Sequence, residues 1–196
     1  MPRRPREVES DQPHHITQRG NNRQGVFVDR EDHLRYLAIL NRTLIDSQIA
    51  CLAFCLMPNH LHLILVPPDK DALALAMNRA QSCYAMAFNR KNARSGHLWQ
   101  NRYYCAPLDE THLFQAVRYV ELNPVRASMV TKAWAYEWSS AALHMGLAET
   151  TPPLKVAPWP QPLEIGPWGE YLEGAGSDAD REELRIRTAR GHRWGP

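Results

Sequence analysis

Long hydrophobic runs are missing from this 196-residue chain: no apolar stretch approaches the ~18 residues that a membrane-spanning helix requires. A helical membrane protein is therefore not expected. Cysteine is scarce, with four residues at 51, 55, 83 and 105 and no CxxC pair among them. That spacing argues against a zinc ribbon or a disulfide scaffold and reads as small core hydrophobes in a reducing compartment. The opening MPRRPREVES is basic but has no apolar segment behind it, so a secretory signal is not supported and a cytoplasmic location is expected by default. Internal repeats and low-complexity tracts are also lacking, and the net charge is only +2.

The composition that is present, 44% hydrophobic and 22% charged, is that of one globular domain with a substantial core and an appended tail. Charge distribution says more than net charge. Arginines gather at Arg3, Arg4 and Arg6, at Arg19 and Arg23, from Arg90 to Arg102, and from Arg181 to Arg193. Singly each cluster reads as a solvated face; together they favour a polyanionic partner, because the planar guanidinium forks onto phosphate.

His14 to Gln18 reads as a first strand, closed by Arg19 and the turn formers Gly20, Asn21 and Asn22. Asp29 stands where a helix N-cap belongs, and Leu34, Leu37, Leu44 and Ile45 share a helical face through about Ser47. Ile49 to Met57 and His60 to Val66 are apolar strands separated by Pro58 and Asn59, which predicts a tight hairpin. A second amphipathic helix is expected over Asp71 to Asn89, a strand over Leu98 to Cys105, and a third helix opened by Asp109 with Leu113, Val117 and Val120 buried. The order β, α, β, β, α, β, α is that of an α+β ferredoxin-like split βαβ sandwich, an antiparallel sheet with helices on one face and one added helix. Residues 1–145 form that domain. In residues 146–196, six of the fifteen prolines lie between Pro152 and Pro167, interleaved with Trp159 and Trp168, which reads as a linker or strap. Ser177 is a candidate cap for a short final helix through Ala189.

Within MPNHLHLILV, His60 and His62 are two apart on a strand, so their imidazoles project from one face. This is metal-ligand spacing, although a partly buried core histidine beside an incidental one fits the same pattern. The third helix carries Tyr119 and Asn123 within ~40° of each other at the edge of its apolar stripe. Tyrosine can attack a phosphodiester covalently, and Arg118 and Arg126 suit a phosphate substrate. Spacing alone leaves two readings open: Tyr119 also fits a rim packing residue, and Asn123 before Pro124 also fits the cap of a new helix.

Five blocks, HHITQRGNNRQGVF, MPNHLHLIL, GHLWQNRYY, RYVELNPVRASMV and YEWSS, occur in an order that resembles the REP-associated tyrosine transposases. These are a branch of the single-tyrosine HUH transposases, named for histidine, hydrophobic, histidine. The resemblance runs to about residue 145. It implies a ferredoxin-like fold, a divalent ion (Mg²⁺ or Mn²⁺) on His60 and His62 with Asn123 as a further ligand, and Tyr119 as nucleophile. It also implies strand cleavage and rejoining through a 5′-phosphotyrosine at single-stranded or hairpin DNA, by a monomer or homodimer. Arg19, Arg23, Trp99, Arg102, Tyr103, Arg118 and Arg126 are the candidate DNA contacts, through phosphate pairing and base stacking. Tyr103 and Tyr104 compete as nucleophiles by chemistry, but only Tyr119 matches the family position. Family members often continue past a glycine- and arginine-rich block, whereas here the last residues are GHRWGP, and the Pro/Trp segment has no matching block. Two rival readings remain: a domesticated, non-cleaving binder of hairpin DNA, and a metal-dependent hydrolase of small phosphoesters.

Overall fold

The computed structural model describes residues 6–148, 154–158 and 167–174, together with residues 182, 184, 186 and 188. Four antiparallel strands, β1 (His14–Arg19), β2 (Ala50–Met57), β3 (His60–Val66) and β4 (Tyr104–Pro107), form one sheet in the order β2-β3-β1-β4. This is the split βαβ arrangement: β1 and β3 are central, and the crossovers α1 (Arg30–Asp46) and α2 (Ala72–Lys91) lie together on one face. Helix α3 (Glu110–Glu121) packs on the opposite face. Among the described residues no helix is long and apolar enough to cross a membrane.

Strand alternation divides the core into two layers. Ile16, Phe54, Leu56, Leu61, Leu63 and Leu65 point to α1 and α2, where Tyr36, Leu40, Met77 and Tyr84 meet them. Ala53, Cys55 and Ile64 point the other way, to Ala116, Val117 and Val120 of α3. Both faces of the sheet are covered, so β2 and β3 read as near-continuous apolar runs. The hairpin pairs Met57 with His60 across the Pro58 and Asn59 turn, as expected.

Local caps act as the sequence suggests, with one exception. Asp29 accepts from the Asp32 amide and Asp109 from the His112 amide, each satisfying an otherwise orphaned donor of the first turn. At α2, where no cap was expected, the Asp69 carboxylate takes the Asp71 and Ala72 amides.

The strand expected over Leu98 to Cys105 is shorter and displaced. β4 pairs Tyr104 with Thr17, and a regular ladder would then place Gly20 opposite Asn101. Gly20 instead bridges Trp99, so two residues loop out and the ladder is interrupted. The third helix likewise stops at Glu121. Pro124 lacks the amide needed to continue the ladder, and a separate turn, α4 (Asn123–Arg126), follows. Past α5 (Ala141–His144), α6 (Trp168–Glu173) buries Trp168 and Leu172 against the α3 layer, and Leu184 joins the same cluster. Residues 182, 184, 186 and 188 are helical, within the expected final helix, while its candidate cap Ser177 lies outside the described residues, as do Arg3, Arg4, Trp159 and Arg181.

Candidate active site

His60 and His62 do project from one face, their ring centroids 5.1 Å apart, and that face is the one covered by α3. The Tyr119 ring stands edge-on to His62 at 5.5 Å, so the helix presents the phenol to the imidazole pair. Three nonlocal segments thereby converge: the start of β3, the last turn of α3, and β1.

From β1 comes a residue that sequence reasoning missed. His15 stacks on His62 with ring centroids 5.3 Å apart and planes within 4°, and its own ring lies 5.8 Å from Tyr119. In the β1 and β3 register His62 faces Thr17, which makes His15 its diagonal neighbour on the same face. The second histidine of HHITQ was the available signal, because alternation and the split βαβ order together put it beside the pair.

Hydrogen bonds fix the ring orientations. The Asn59 amide donates to the Arg23 carbonyl at 3.2 Å, which turns its oxygen to His60 Nδ1 at 2.6 Å, so Nδ1 carries the proton and donates. The lone pair of His60 is left on Nε2. His62 Nδ1 lies 3.0 Å from His15 Nε2, and His15 Nδ1 lies 2.7 Å from Thr188 Oγ1. The relay fits either direction; in the one where each Nδ1 donates in turn, from His62 to His15 to Thr188, the His62 lone pair also falls on Nε2. Such outer partners set the tautomer of a metal-binding histidine.

All three rings are held neutral. Burial lowers His60 to about 4, helped by the positive charges of Arg19 and Arg126. Burial lowers His15 to about 3 and places His62 well below its ordinary range, where His60, His15 and both arginines add to the shift. Neutral imidazoles with Nε2 lone pairs have the donor chemistry a divalent ion requires. Among the described residues no three His, Cys, Asp or Glu side chains group as a metal site, so this face offers an imidazole pair and leaves other positions to oxygen ligands.

Arg19 and Arg126 form a positive rim that both histidines feel, and the loop that follows β1 is fastened beside it. Gly20 cannot carry a side chain, because a Cβ there would lie 2.3 Å from the Gln24 carbonyl and 2.7 Å from Val26. Its amide donates to the Asn59 carbonyl, while Val26 and Phe27 amides reach Pro58. The loop is therefore pinned to the hairpin turn. Arg19 is the backbone partner of His60, and Arg23 lies exposed beside Asn59. Arg126 completes the rim, with its guanidinium 4.3 Å from the centre of the Tyr119 ring and donating to the Tyr119 carbonyl at 2.8 Å.

The remaining expected residues make contacts of their own. Asn123 spends its amide on the Tyr119 and Val120 carbonyls, joining α3 to α4. Arg118, expected at a phosphate, donates instead to the carbonyls of Tyr171, Leu172 and Gly174 at the end of α6, because consecutive helical residues point apart. Trp99, Arg102 and Tyr103 line a groove beside α2. Tyr103 is buried, which raises its phenol to about 12 and makes it a poor rival nucleophile.

Comparison with known proteins bears on the family and the fold. A curated protein of Haemophilus influenzae named for the REP-associated tyrosine transposases is 29% identical over 97 residues, 43% of this chain and 55% of the relative. The chain thus spans about half the length of that relative. A REP-associated tyrosine transposase solved bound to a REP hairpin shares the fold, with a TM-score of 0.61 at 18% identity, covering 81% of this chain and 95% of its own. A Deinococcus radiodurans protein assigned as a transposase overlaps less, with a TM-score of 0.42 at 22% identity over 61% of this chain and 95% of that one. Of the resemblances, that to the REP-associated tyrosine branch is the one shared by sequence and fold. The model of the IS200-like transposases matches residues 9–123, more than half of the chain, and the protein belongs to that family.

Proposed function

We propose that this protein is a metal-dependent single-stranded DNA transposase that cuts and rejoins strands at hairpin-forming sites through Tyr119. The observation that carries the reading is the phenol of Tyr119 set 5.5 Å, ring to ring, from a neutral histidine pair inside a rim of arginines. The hairpin follows by analogy with the fold relative solved on a REP hairpin.

In this mechanism Arg19, Arg23 and Arg126 draw the scissile phosphate to the face. His60 and His62 would hold Mg²⁺ or Mn²⁺ through Nε2, with the Asn123 amide oxygen as candidate third ligand. A bound divalent ion withdraws charge from the phosphate and so eases attack on it. The Tyr119 oxygen forms a bond to phosphorus as the bond to the 3′ oxygen breaks. The phenol proton is lost and the departing 3′ oxygen gains one. The product is a 5′-phosphotyrosine and a free 3′-hydroxyl. Attack by another 3′-hydroxyl reverses these changes and joins strands without a nucleotide cofactor, because the ester bond energy is conserved.

A denaturing gel of labelled single-stranded hairpin DNA incubated with protein and Mg²⁺ tests this. A covalent adduct should form, vanish with EDTA, and be absent in Tyr119→Phe while hairpin binding persists. An adduct that survives in Tyr119→Phe moves the nucleophile elsewhere. Metal-independent binding with no adduct on any hairpin replaces this reading with that of a non-cleaving binder.

A further inference from the structure

On the histidine face, burial falls off along β1 towards the strand end that meets His60. Ala106, His15 and Ile64 form one row across β4, β1 and β3, and all three are fully buried. The next row is Tyr104, Thr17 and His62. Strand alternation keeps Thr17 on the side of His15, two residues before it, and pairing with Thr17 puts Tyr104 on that side as well. In this row His62 is 5% exposed, Thr17 is half-buried and Tyr104 is 40% exposed. The row after it, His60 with Arg19, is half-buried and exposed. Thr17 therefore stands at the opening of the face, directly across from one histidine of the pair and diagonal to the other.

The Thr17 hydroxyl has no partner in the fold. It makes no hydrogen bond among the described residues, and it is accessible to solvent. Thr43 and Thr188, both buried, spend theirs on the Ile39 carbonyl and on His15 Nδ1. A β-branched side chain on a strand is also restricted at χ1, so Thr17 offers a donor of nearly fixed direction, registered with the histidines by the sheet itself. The arginines of the rim bring charge on long side chains and lack that seat.

Cross-strand Cβ atoms stand about 4.5–5.5 Å apart, a gap that a single phosphate bridges. We propose that the Thr17 hydroxyl donates to a non-bridging oxygen of the scissile phosphate and holds it over the histidine pair for attack by Tyr119. The inference rests on the reading of this face as a strand-transfer site. No bond to Thr17 forms or breaks: the hydroxyl keeps its proton, and its hydrogen bond strengthens as negative charge builds on the phosphate oxygens.

The test measures single-turnover adduct formation by the full chain on labelled hairpin DNA with Mg²⁺, for the wild type, Thr17→Val and Thr17→Ser. Valine keeps the β-branched shape and serine keeps the hydroxyl. Thr17→Val should slow the adduct about 10- to 100-fold, the usual worth of a hydrogen bond to a charged group, and Thr17→Ser should retain most of the rate. Mn²⁺ affinity of the free protein, read by isothermal titration, should be the same in all three, because the hydroxyl acts on the phosphate. Sulfur accepts hydrogen bonds poorly, so the wild type should be slow on one phosphorothioate diastereomer at the scissile position, and Thr17→Val should lose nothing further on it. A normal rate in Thr17→Val, an equal loss in Thr17→Ser, weakened Mn²⁺ binding, or a full further loss on that diastereomer overturns the proposal, while a wild-type adduct keeps the Tyr119 reading. No wild-type adduct on any hairpin fails that reading itself and takes the proposal with it.

Discussion

At the scale of single residues, the arrangement turns on which nitrogen of each imidazole keeps its proton. In the proposed site Asn59 and His15 are positioning residues, each contacting one histidine of the pair through a hydrogen bond. His15→Ala should reduce Mn²⁺ affinity about 10- to 100-fold, the usual loss when an outer partner of a metal-binding histidine is removed, while the far-ultraviolet spectrum stays unchanged. His15→Gln, whose amide oxygen can accept from His62 Nδ1, should recover part of that loss, and isothermal titration would reveal it; equal affinity in all three proteins would remove His15 from the site. A pH effect is expected from histidines away from this cluster. Burial lowers His14 and His33 below 6.5, so the unfolded chain binds protons that the folded chain refuses. Their contribution to stability is complete above about 6.5, the unfolded value, and is lost as pH falls from there through their folded values. Urea midpoints measured in EDTA should decline over that interval, and a flat profile would contradict the assignment.

At the scale of elements, the last turn of α3 must be held still if Tyr119 is to meet the histidines, and Glu121 does this. It is fully buried, and its carboxylate accepts from Ser140 Oγ and His144 Nδ1, both at 2.6 Å, and from the Trp168 indole N–H at 2.8 Å. Glu121→Ala leaves several buried groups without a partner and should cost about 3–5 kcal/mol in urea unfolding. A loss under about 1 kcal/mol would show that the helix end is held by apolar packing alone. The hairpin that bears His60 and His62 was legible from the chain, because period-two alternation and a Pro-Asn turn are both local signals. So was the presentation of Tyr119, since apolar spacing assigns the stripe of α3. His15 was not, because its role depends on the register between strands that lie far apart in sequence. The contacts of Asn123 were not legible for a local reason: its amide donates to the Tyr119 and Val120 carbonyls where Pro124 ends the helical ladder. Those of Arg118 were not legible for a distant one, since its carbonyl partners lie more than fifty residues along the chain. The double loop-out before β4 has no sequence signature beyond a polar Gln100 and Asn101.

At the scale of the whole molecule, residues beyond the family match are part of the same packing unit as the site. Leu184 is fully buried in the α3 layer, so Leu184→Ala should cost about 2–4 kcal/mol, as for any core leucine. Fluorescence and circular dichroism should still report one coincident urea transition. Two separated transitions, or no loss of stability, would make the C-terminal segment an independent appendage. Thr188 has a further meaning in time. It closes the hydrogen-bond relay to His15 across 173 residues of sequence. A ribosome-bound chain that has already made its histidines and tyrosine still lacks the hydroxyl that His15 contacts, so the order of translation delays the completed relay until a later segment has emerged.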